Sequence, residues 1–185
     1  MSSMAPTTGR PPKTVDDYMA LPDDVRAELI SGELYVTPSP TPLHQSVVQG
    51  LHLALGPPAK AVGLGKVYLA PLDVHLPTGD VVQPDVLFIH ERNLEIIQDW
   101  IRGVPDLVVE VISKTHAERD RIVKLGVYER AGVPEYWLVD PGSLSIEIYR
   151  LEGDAYRPAG YFVGSGVVRS PLLPGIEVDV ERIFG

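Results

Sequence analysis

Two acidic residues stand inside apolar segments of the sequence. Asp85 follows a proline within residues 81–89 (VVQPDVLFI), and Glu110 lies within residues 106–113 (DLVVEVIS). Carboxylates are almost never fully buried unless they are paired or bound to a metal ion. If the two segments form adjacent strands, the two charges repel each other. A cation bound between them would relieve that repulsion.

A third residue, Lys124, follows the second segment in a stretch with a helical pattern. Asp120 lies four residues before Lys124 and therefore shares its face of the helix. Mg²⁺ typically takes one or two carboxylates from a protein and completes its shell with water and substrate phosphate. A lysine beside such an ion can orient an attacking water or stabilise charge in the transition state. These residues predict metal-assisted hydrolysis of a phosphodiester.

Structural roles for the same side chains remain open at this point. Asp85 could end a strand in a turn, where its carboxylate accepts hydrogen bonds from backbone N–H groups. Glu110 could instead form a buried ion pair with Arg121 or Lys124. One lysine rarely compensates two buried acids, so a cation site explains the pair better than two separate structural roles.

Composition limits the classes of function. The chain has 185 residues, of which 44% are hydrophobic and 22% charged, as expected of one globular domain. A net charge of -9 argues against binding nucleic acid by bulk attraction, so such binding would need a local basic patch or metal ions. Cysteine is absent, which excludes disulfides and cysteine-based zinc sites. We see no membrane span or secretory signal and expect a cytoplasmic protein.

The amino-terminal third predicts a tail, a hairpin and a helix. Residues 1–13 are rich in Ser, Thr, Pro and Gly and are expected to be disordered, so that one domain spans residues 14–185. Residues 31–32 (SG) predict the tight turn of a hairpin. The apolar spacing of residues 43–55 predicts a helix, which residues 56–58 (GPP) are expected to end.

The middle of the chain predicts a mixed sheet. Residues 66–76 and 81–89 predict two strands, and the nearly continuous apolar run at 106–113 predicts a central strand buried on both faces. Together with a helix at 115–131 and a strand at 135–140, that central strand forms a β-α-β unit with parallel strands. We expect the remaining pairs to be antiparallel. The fold class is α/β or α+β, a mixed sheet flanked by helices.

Several blocks of sequence occur together in a characteristic order. They are residues 26–34 (RAELISGEL), 38–40 (PSP) with His44, 83–88 (QPDVLF), 105–113 (PDLVVEVIS), Asp120 with Lys124 and Tyr128, and 132–141 (GVPEYWLVDP). In this order they resemble the Uma-two family of restriction endonucleases, within the PD-(D/E)XK nuclease superfamily. The resemblance covers roughly residues 14–184. The combination is specific, whereas each block alone is common.

The resemblance implies a restriction-endonuclease-like core that hydrolyses DNA with Mg²⁺ or Mn²⁺. Asp85 matches the first acid of the motif and Glu110 the second, and both would bind the metal. The superfamily usually has its lysine two residues after the second acid, where this chain has Ile112. The family's lysine has moved to the following helix, and Lys124 matches that position.

The superfamily often has a further acid near its amino-terminal segment, which contacts the metal through water. Glu28 and Glu33 flank the predicted hairpin and are the two candidates. We prefer Glu33 slightly, because it lies in a strand-like stretch. Either residue could instead be an exposed strand acid.

Other polar residues could complete the site as outer-shell or substrate contacts. His44 could contact phosphate or pack at a helix terminus. Gln83 alternates onto the same strand face as Asp85. Ser113 could bind phosphate, although capping the next helix is the better interpretation. Asp120 could hold Lys124 in place.

Two functions from different classes fit these observations. The first is a Mg²⁺- or Mn²⁺-dependent DNA endonuclease, a homodimer because cutting both strands of a duplex requires two sites. The second is a nuclease-fold module with little hydrolytic activity that binds nucleic acid or protein. The acidic composition favours the second. For the first, we expect the carboxylates of Asp85 and Glu110 to lie within about 6 Å of each other, close enough to share one ion.

Overall fold

The computed structural model describes residues 11–22, 24–113 and 117–185, with the backbone alone for residues 117–120. The helices are α1 (Val15–Met19), α2 (Pro42–Ala61), α3 (Ala117–Ala131) and α4 (Val180–Phe184), and a 3₁₀ helix spans Glu91–Ile96. The strands are β1 (Ala27–Ile30), β2 (Glu33–Val36), β3 (Gly65–Leu69), β4 (Val74–His75), β5 (Val81–Val82), β6 (Val86–His90), β7 (Ile101–Arg102), β8 (Leu107–Val111), β9 (Glu135–Asp140), β10 (Ser145–Glu152), β11 (Ala155–Val163), β12 (Val167–Arg169) and β13 (Glu177–Asp179). None of the helices in these ranges has the length and hydropathy that a membrane span requires. The expected disorder of residues 1–13 falls mostly outside the described residues.

The strands of the described residues form two larger sheets and one small ribbon. One sheet has the order β11-β10-β9-β8-β6-β3, the other the order β2-β1-β5-β4-β7, and β12 pairs with β13. β8 and β9 are parallel and are joined by α3, which confirms the predicted β-α-β unit. β4 and β7 are also parallel, so the expectation that all other pairs are antiparallel was wrong. The predicted class, mixed sheets flanked by helices, is confirmed.

The strand β8 is the centre of the larger sheet. All of its residues are buried, and it pairs with β6 on one side and β9 on the other. Val109 faces the layer formed by α2, whereas Val108 faces the layer that contains Val127 and Tyr128 of α3. Apolar neighbours on both faces explain the nearly continuous apolar run of this strand.

Two segments predicted as single strands are each divided between the two sheets. Residues 66–76 contribute β3 to the larger sheet and β4 to the smaller one, and residues 81–89 contribute β5 and β6. A proline lies at each break, Pro71 in the first segment and Pro84 in the second. Proline cannot donate a ladder hydrogen bond, so it favours the point where a strand ends. Asp85 therefore lies where the chain passes from one sheet to the other.

The sequence predicted that the helix α2 would end at the Gly-Pro-Pro sequence. In the structure it continues to Ala61. Its buried residues recur at helical spacing on both sides of the prolines: Leu51, Leu55 and Ala59 are all fully buried. Packing of this face against the sheet outweighs the loss of hydrogen bonds at Pro57 and Pro58. Local propensity therefore predicted the wrong end of the helix.

Replacing Ala59 with aspartate should test the continuation of α2. We expect Ala59→Asp to lower the free energy of unfolding by more than about 3 kcal/mol, because an unpaired carboxylate would enter the core. Ala61→Asp is the control, since Ala61 lies two residues further on and is exposed; its effect should stay within about 0.5 kcal/mol. Urea denaturation measures both. Equal effects would contradict a helix that packs beyond its prolines.

Candidate active site

Asp85 and Glu110 occupy facing positions on neighbouring strands. β6 and β8 are antiparallel with Val86 opposite Val109, and one further step in this register brings Asp85 opposite Glu110. Directly opposed residues in an antiparallel pair have Cβ atoms about 4.5–5.5 Å apart. Asp85 Oδ2 also accepts a hydrogen bond from the backbone N of Val111 at 2.8 Å. The register supports the expected short separation of the two carboxylates, which stays a prediction.

Lys124 reaches from α3 towards the end of β8 and lies between two acids. Its Nζ donates to Glu110 Oε1 at 3.0 Å and also to Glu28 Oε1. Its side chain is only 7% exposed. Burial disfavours the charged ammonium, but the attraction of Glu110 and Glu28 is larger, so the pKa of Lys124 is raised. The lysine is therefore a permanent cation at neutral pH.

The structure reverses the preference between the two hairpin acids. Glu28 is buried and accepts a hydrogen bond from the backbone N of Gln83 at 2.8 Å. Glu33 is exposed and accepts a hydrogen bond from the Tyr35 hydroxyl at 2.7 Å. Both acids share one face of the hairpin, since Glu28 pairs with Tyr35 and Ile30 pairs with Glu33. Glu33 lies beside the turn, however, and only Glu28 is placed to contact the lysine.

The three acids of the site, Asp85, Glu28 and Glu110, share one pattern of hydrogen bonding. Among the described residues, every donor to these carboxylates reaches the same oxygen of its acid: Oδ2 of Asp85, Oε1 of Glu28 and Oε1 of Glu110. The second oxygen of each acid has no hydrogen-bond partner in that part of the chain. All three side chains line one cavity of about 640 Å³. Among the described residues, three acids that line this cavity therefore each retain one carboxylate oxygen without a hydrogen-bond partner.

His44 joins the site from the amino end of α2. Thr41 caps this helix, and its Oγ1 accepts a hydrogen bond from the His44 backbone N at 3.3 Å. The His44 Nε2 atom lies 3.2 Å from Asp85 Oδ2. Burial lowers the pKa of His44, but the hydrogen bond and charge of Asp85 outweigh this effect and raise it overall. His44 therefore contacts Asp85 directly, as an outer partner of the site.

Of the other residues predicted for the site, two line the cavity and one has a side chain that is not described. Gln83 lines the cavity, and its Nε2 donates to Asp73 Oδ1 at 2.8 Å. Ser113 also lines the cavity. The predicted cap of α3 by Ser113 concerns residues 114–116, which are not described, and the side chain of Asp120 likewise lies outside the described residues.

Two contacts of the site were missed from the sequence. Tyr128 was given no role in the site, but its hydroxyl donates to Glu110 Oε1. Its spacing of four residues from Lys124 is the signal that could have found it, because such residues share one helix face. Arg26 lines the cavity as well. It lies two residues before Glu28, so strand alternation could have placed it beside that acid.

The pKa of Glu110 is raised by its surroundings in the site. Burial, the largest cause, and the charges of Asp85 and Glu28 together raise its pKa to about 8, against the attraction of Lys124. An acid that resists ionisation beside two other acids indicates an excess of negative charge. A bound cation would reduce that excess and favour ionised Glu110.

The residues fit a divalent cation of the Mg²⁺ type. Within the described ranges, no three His, Cys, Asp or Glu side chains have the spacing of a preformed metal site. Mg²⁺ does not require such a set, since it commonly uses one or two carboxylates and retains several waters. Asp85 and Glu110 would supply those carboxylates. With Glu110 ionised and His44 neutral, three carboxylates and one ammonium leave an excess of two negative charges, which one divalent ion would neutralise.

Two comparisons with known proteins show a family and a fold. The model of the Uma2 family, described as "Putative restriction endonuclease", matches residues 15–181. A crystal structure from Anabaena variabilis, described as "a putative nuclease belonging to DUF820", is similar with a TM-score of 0.79 and 17% sequence identity. The similarity covers 94% of this chain and 98% of that chain. No curated protein matches the sequence. At this identity the structural similarity shows the fold alone.

Replacing Glu110 with glutamine should remove a pH dependence of stability in the metal-free protein. The pKa of Glu110 is raised from 4.5 to about 8, so the folded state holds an extra proton between these values. Stability from this group is therefore present at low pH and is lost as the pH rises. Between about pH 5 and about pH 8, the free energy of unfolding of the wild type should fall by on the order of 2 to 4 kcal/mol more than that of Glu110→Gln.

Urea denaturation in EDTA at several pH values measures this difference. Glu152→Gln is the matched control, because Glu152 is exposed at the end of β10. It should follow the wild-type profile. Parallel profiles for Glu110→Gln and wild type would contradict the assigned shift.

Proposed function

The chain belongs to the Uma2 family, and on this premise we propose that it is a metal-dependent endonuclease that hydrolyses phosphodiester bonds of DNA. The observation that carries this proposal is the arrangement of Asp85, Glu110 and Glu28. Each of these acids uses one oxygen for hydrogen bonds within the described residues, and all three acids line the cavity. A cationic lysine lies among them. Acids and a lysine in this arrangement suit the binding of a divalent cation and a phosphate group together.

Each residue has a role in this proposal. Asp85 and Glu110 hold Mg²⁺ or Mn²⁺, and Glu28 fixes Lys124 and assists from the outer shell. When bound, the ion would polarise the phosphate and lower the pKa of a water molecule. Val111 N and His44 hold Asp85 in place through its Oδ2.

Lys124 acts as a hydrogen-bond donor in this proposal. An ammonium group has three donors, and two of them go to Glu28 and Glu110. The third can point to the attacking water or to a phosphate oxygen. Because the pKa of Lys124 is raised, the residue stays protonated. Its role is to orient water and stabilise the negative charge of the transition state, and it does not act as a base.

The substrate and assembly follow from the same proposal. A homodimer would place two sites on the two strands of a duplex. DNA is the proposed substrate and the cytoplasm the proposed compartment. The alternative, a binding module with little hydrolytic activity, makes a different experimental prediction. It would bind DNA in Ca²⁺ and leave it uncut in Mg²⁺ and Mn²⁺.

Replacing Asp85 with asparagine should abolish cleavage. Asparagine keeps an oxygen that can accept from Val111 N but removes the charge that binds the metal. We expect the rate to fall at least about 100-fold, more than is typical for losing an outer partner of a metal ligand. The assay compares supercoiled and linear DNA with Mg²⁺, Mn²⁺ and EDTA. Asp154→Asn is the control, since Asp154 is exposed and does not line the cavity; equal activity in all three proteins would refute the assignment.

The two hairpin acids should differ sharply when replaced with glutamine. We expect Glu28→Gln to slow cleavage by about 10- to 100-fold, because it changes the partner that holds Lys124. Glu33→Gln should leave the rate within about twofold of wild type, as expected for an exposed position. Single-turnover cleavage in Mn²⁺ measures both rates. If Glu33→Gln slowed cleavage more than Glu28→Gln, Glu33 and not Glu28 would be the acid that assists the site.

A further inference from the structure

The cavity presents an electrostatic problem to a polyanionic substrate. Four carboxylates line it, those of Glu28, Asp85, Glu110 and Asp140, and the whole chain carries a net charge of -9. Lys124 is already paired with two of those acids. Among the described residues that line the cavity, the lysines and arginines are Lys124 and Arg26. A nucleic-acid backbone needs a cation with free donors, and Arg26 is the remaining candidate.

Arg26 is held in the hairpin and faces the cavity. Its carbonyl accepts a hydrogen bond from the backbone N of Thr37 at 2.9 Å, so the pairing of β1 with β2 extends by one step to this residue. Strand alternation puts Arg26 on the face of Glu28, about 6.6 Å along the chain. The guanidinium therefore lies on the side of the carboxylates without being paired to them.

The Nε atom of Arg26 is buried and has no hydrogen-bond partner among the described residues. Arg26 also takes part in no ion pair in that part of the chain. Leaving a buried donor unsatisfied costs about 1–3 kcal/mol, more for a charged group. Such a donor at the wall of a cavity is expected where a ligand supplies the acceptor.

The amino end of α2 adds positive potential to the same wall. Thr41, Leu43 and His44 line the cavity, and they belong to the first turn of a 20-residue helix and its cap. The N-terminus of such a helix carries a partial positive charge and favours anions. Arg26 and this helix end together give the cavity one wall that attracts phosphate, while the carboxylates form another.

We propose that Arg26 binds a backbone phosphate of the nucleic acid beside the bond that is cut. This inference rests on the nucleic-acid substrate of the proposed function. The planar guanidinium can bind a phosphate through two parallel hydrogen bonds. Contact at this position would set the scissile phosphodiester over Asp85 and Glu110. Arg26 thus binds substrate and takes no part in bond breaking.

The test compares Arg26→Gln and Arg26→Lys with the matched control Arg157→Gln. Arg157 is exposed on β11 and does not line the cavity. Binding to a short DNA duplex is measured by fluorescence anisotropy in Ca²⁺ over a range of salt concentrations. We expect Arg26→Gln to weaken binding about 10-fold and to lower the slope of log affinity against log salt by about one. Arg26→Lys should be intermediate, and Arg157→Gln should match wild type.

Two further measurements separate binding from structure. Mn²⁺ affinity and the melting temperature should not fall in Arg26→Gln, because the native Nε makes no hydrogen bond that the variant would lose. In cleavage assays, KM should rise more than kcat falls. A loss of Mn²⁺ affinity or of folding that parallels the loss of DNA binding would overturn the proposal in favour of a structural role.

The outcomes for Arg26 and for the nuclease activity are distinguishable. If the wild type binds and cuts DNA while Arg26→Gln behaves like Arg157→Gln, the role of Arg26 is refuted and the nuclease stands. If Arg26-dependent binding occurs without cleavage in Mg²⁺ or Mn²⁺, the nuclease is refuted and the phosphate contact stands. Wild-type protein that binds no duplex overturns both.

Discussion

The buried ammonium of Lys124 between Glu28 and Glu110 is the interaction on which the rest of the structure depends. Its two acids come from β1 in the smaller sheet and β8 in the larger one, and the lysine comes from α3. One cation therefore joins three elements that are distant in sequence. Removing one partner from a buried ion pair typically costs about 3–5 kcal/mol, because the other charge remains in the interior. The charges that build the candidate site also hold the two sheets in place.

This arrangement is a poor solution for stability alone. Hydrophobic residues of similar volume often replace a buried ion pair without loss. This site instead adds a third acid, Asp85, whose charged partner among the described residues is His44 and not a lysine or arginine. Burial is the largest cause of the raised pKa of Glu110, and the charges of Asp85 and Glu28 add to it. Departures from local rules of this kind are expected where a protein binds a ligand. The excess of acid is therefore better explained by a bound cation than by folding.

The sequence predicted those features that depend on local pattern. The apolar run around Glu110 identified β8, and the following helix and strand identified the β-α-β unit, because the period of apolar residues differs between strand and helix. The sequence did not rank Glu28 above Glu33, because both acids lie on one face of the hairpin. They differ in burial, which depends on how the hairpin packs against the rest of the fold. The sequence also ended α2 at Gly56, because packing beyond the prolines is a tertiary effect.

The lysine beside Glu110 comes from α3 and not from the strand β8 itself. A residue two positions after Glu110 points to the same face of β8, and there the chain has Ile112. Ile112 is buried in the layer that includes Val127 and Tyr128, so it packs under α3. That packing holds α3 against the end of the strand, and Lys124 of α3 donates a hydrogen bond to Glu110. The proposed chemistry requires a cation at one place in space. An apolar residue on the strand and a lysine on the helix meet that requirement together, because Ile112 packs in the layer on which α3 lies and α3 carries Lys124.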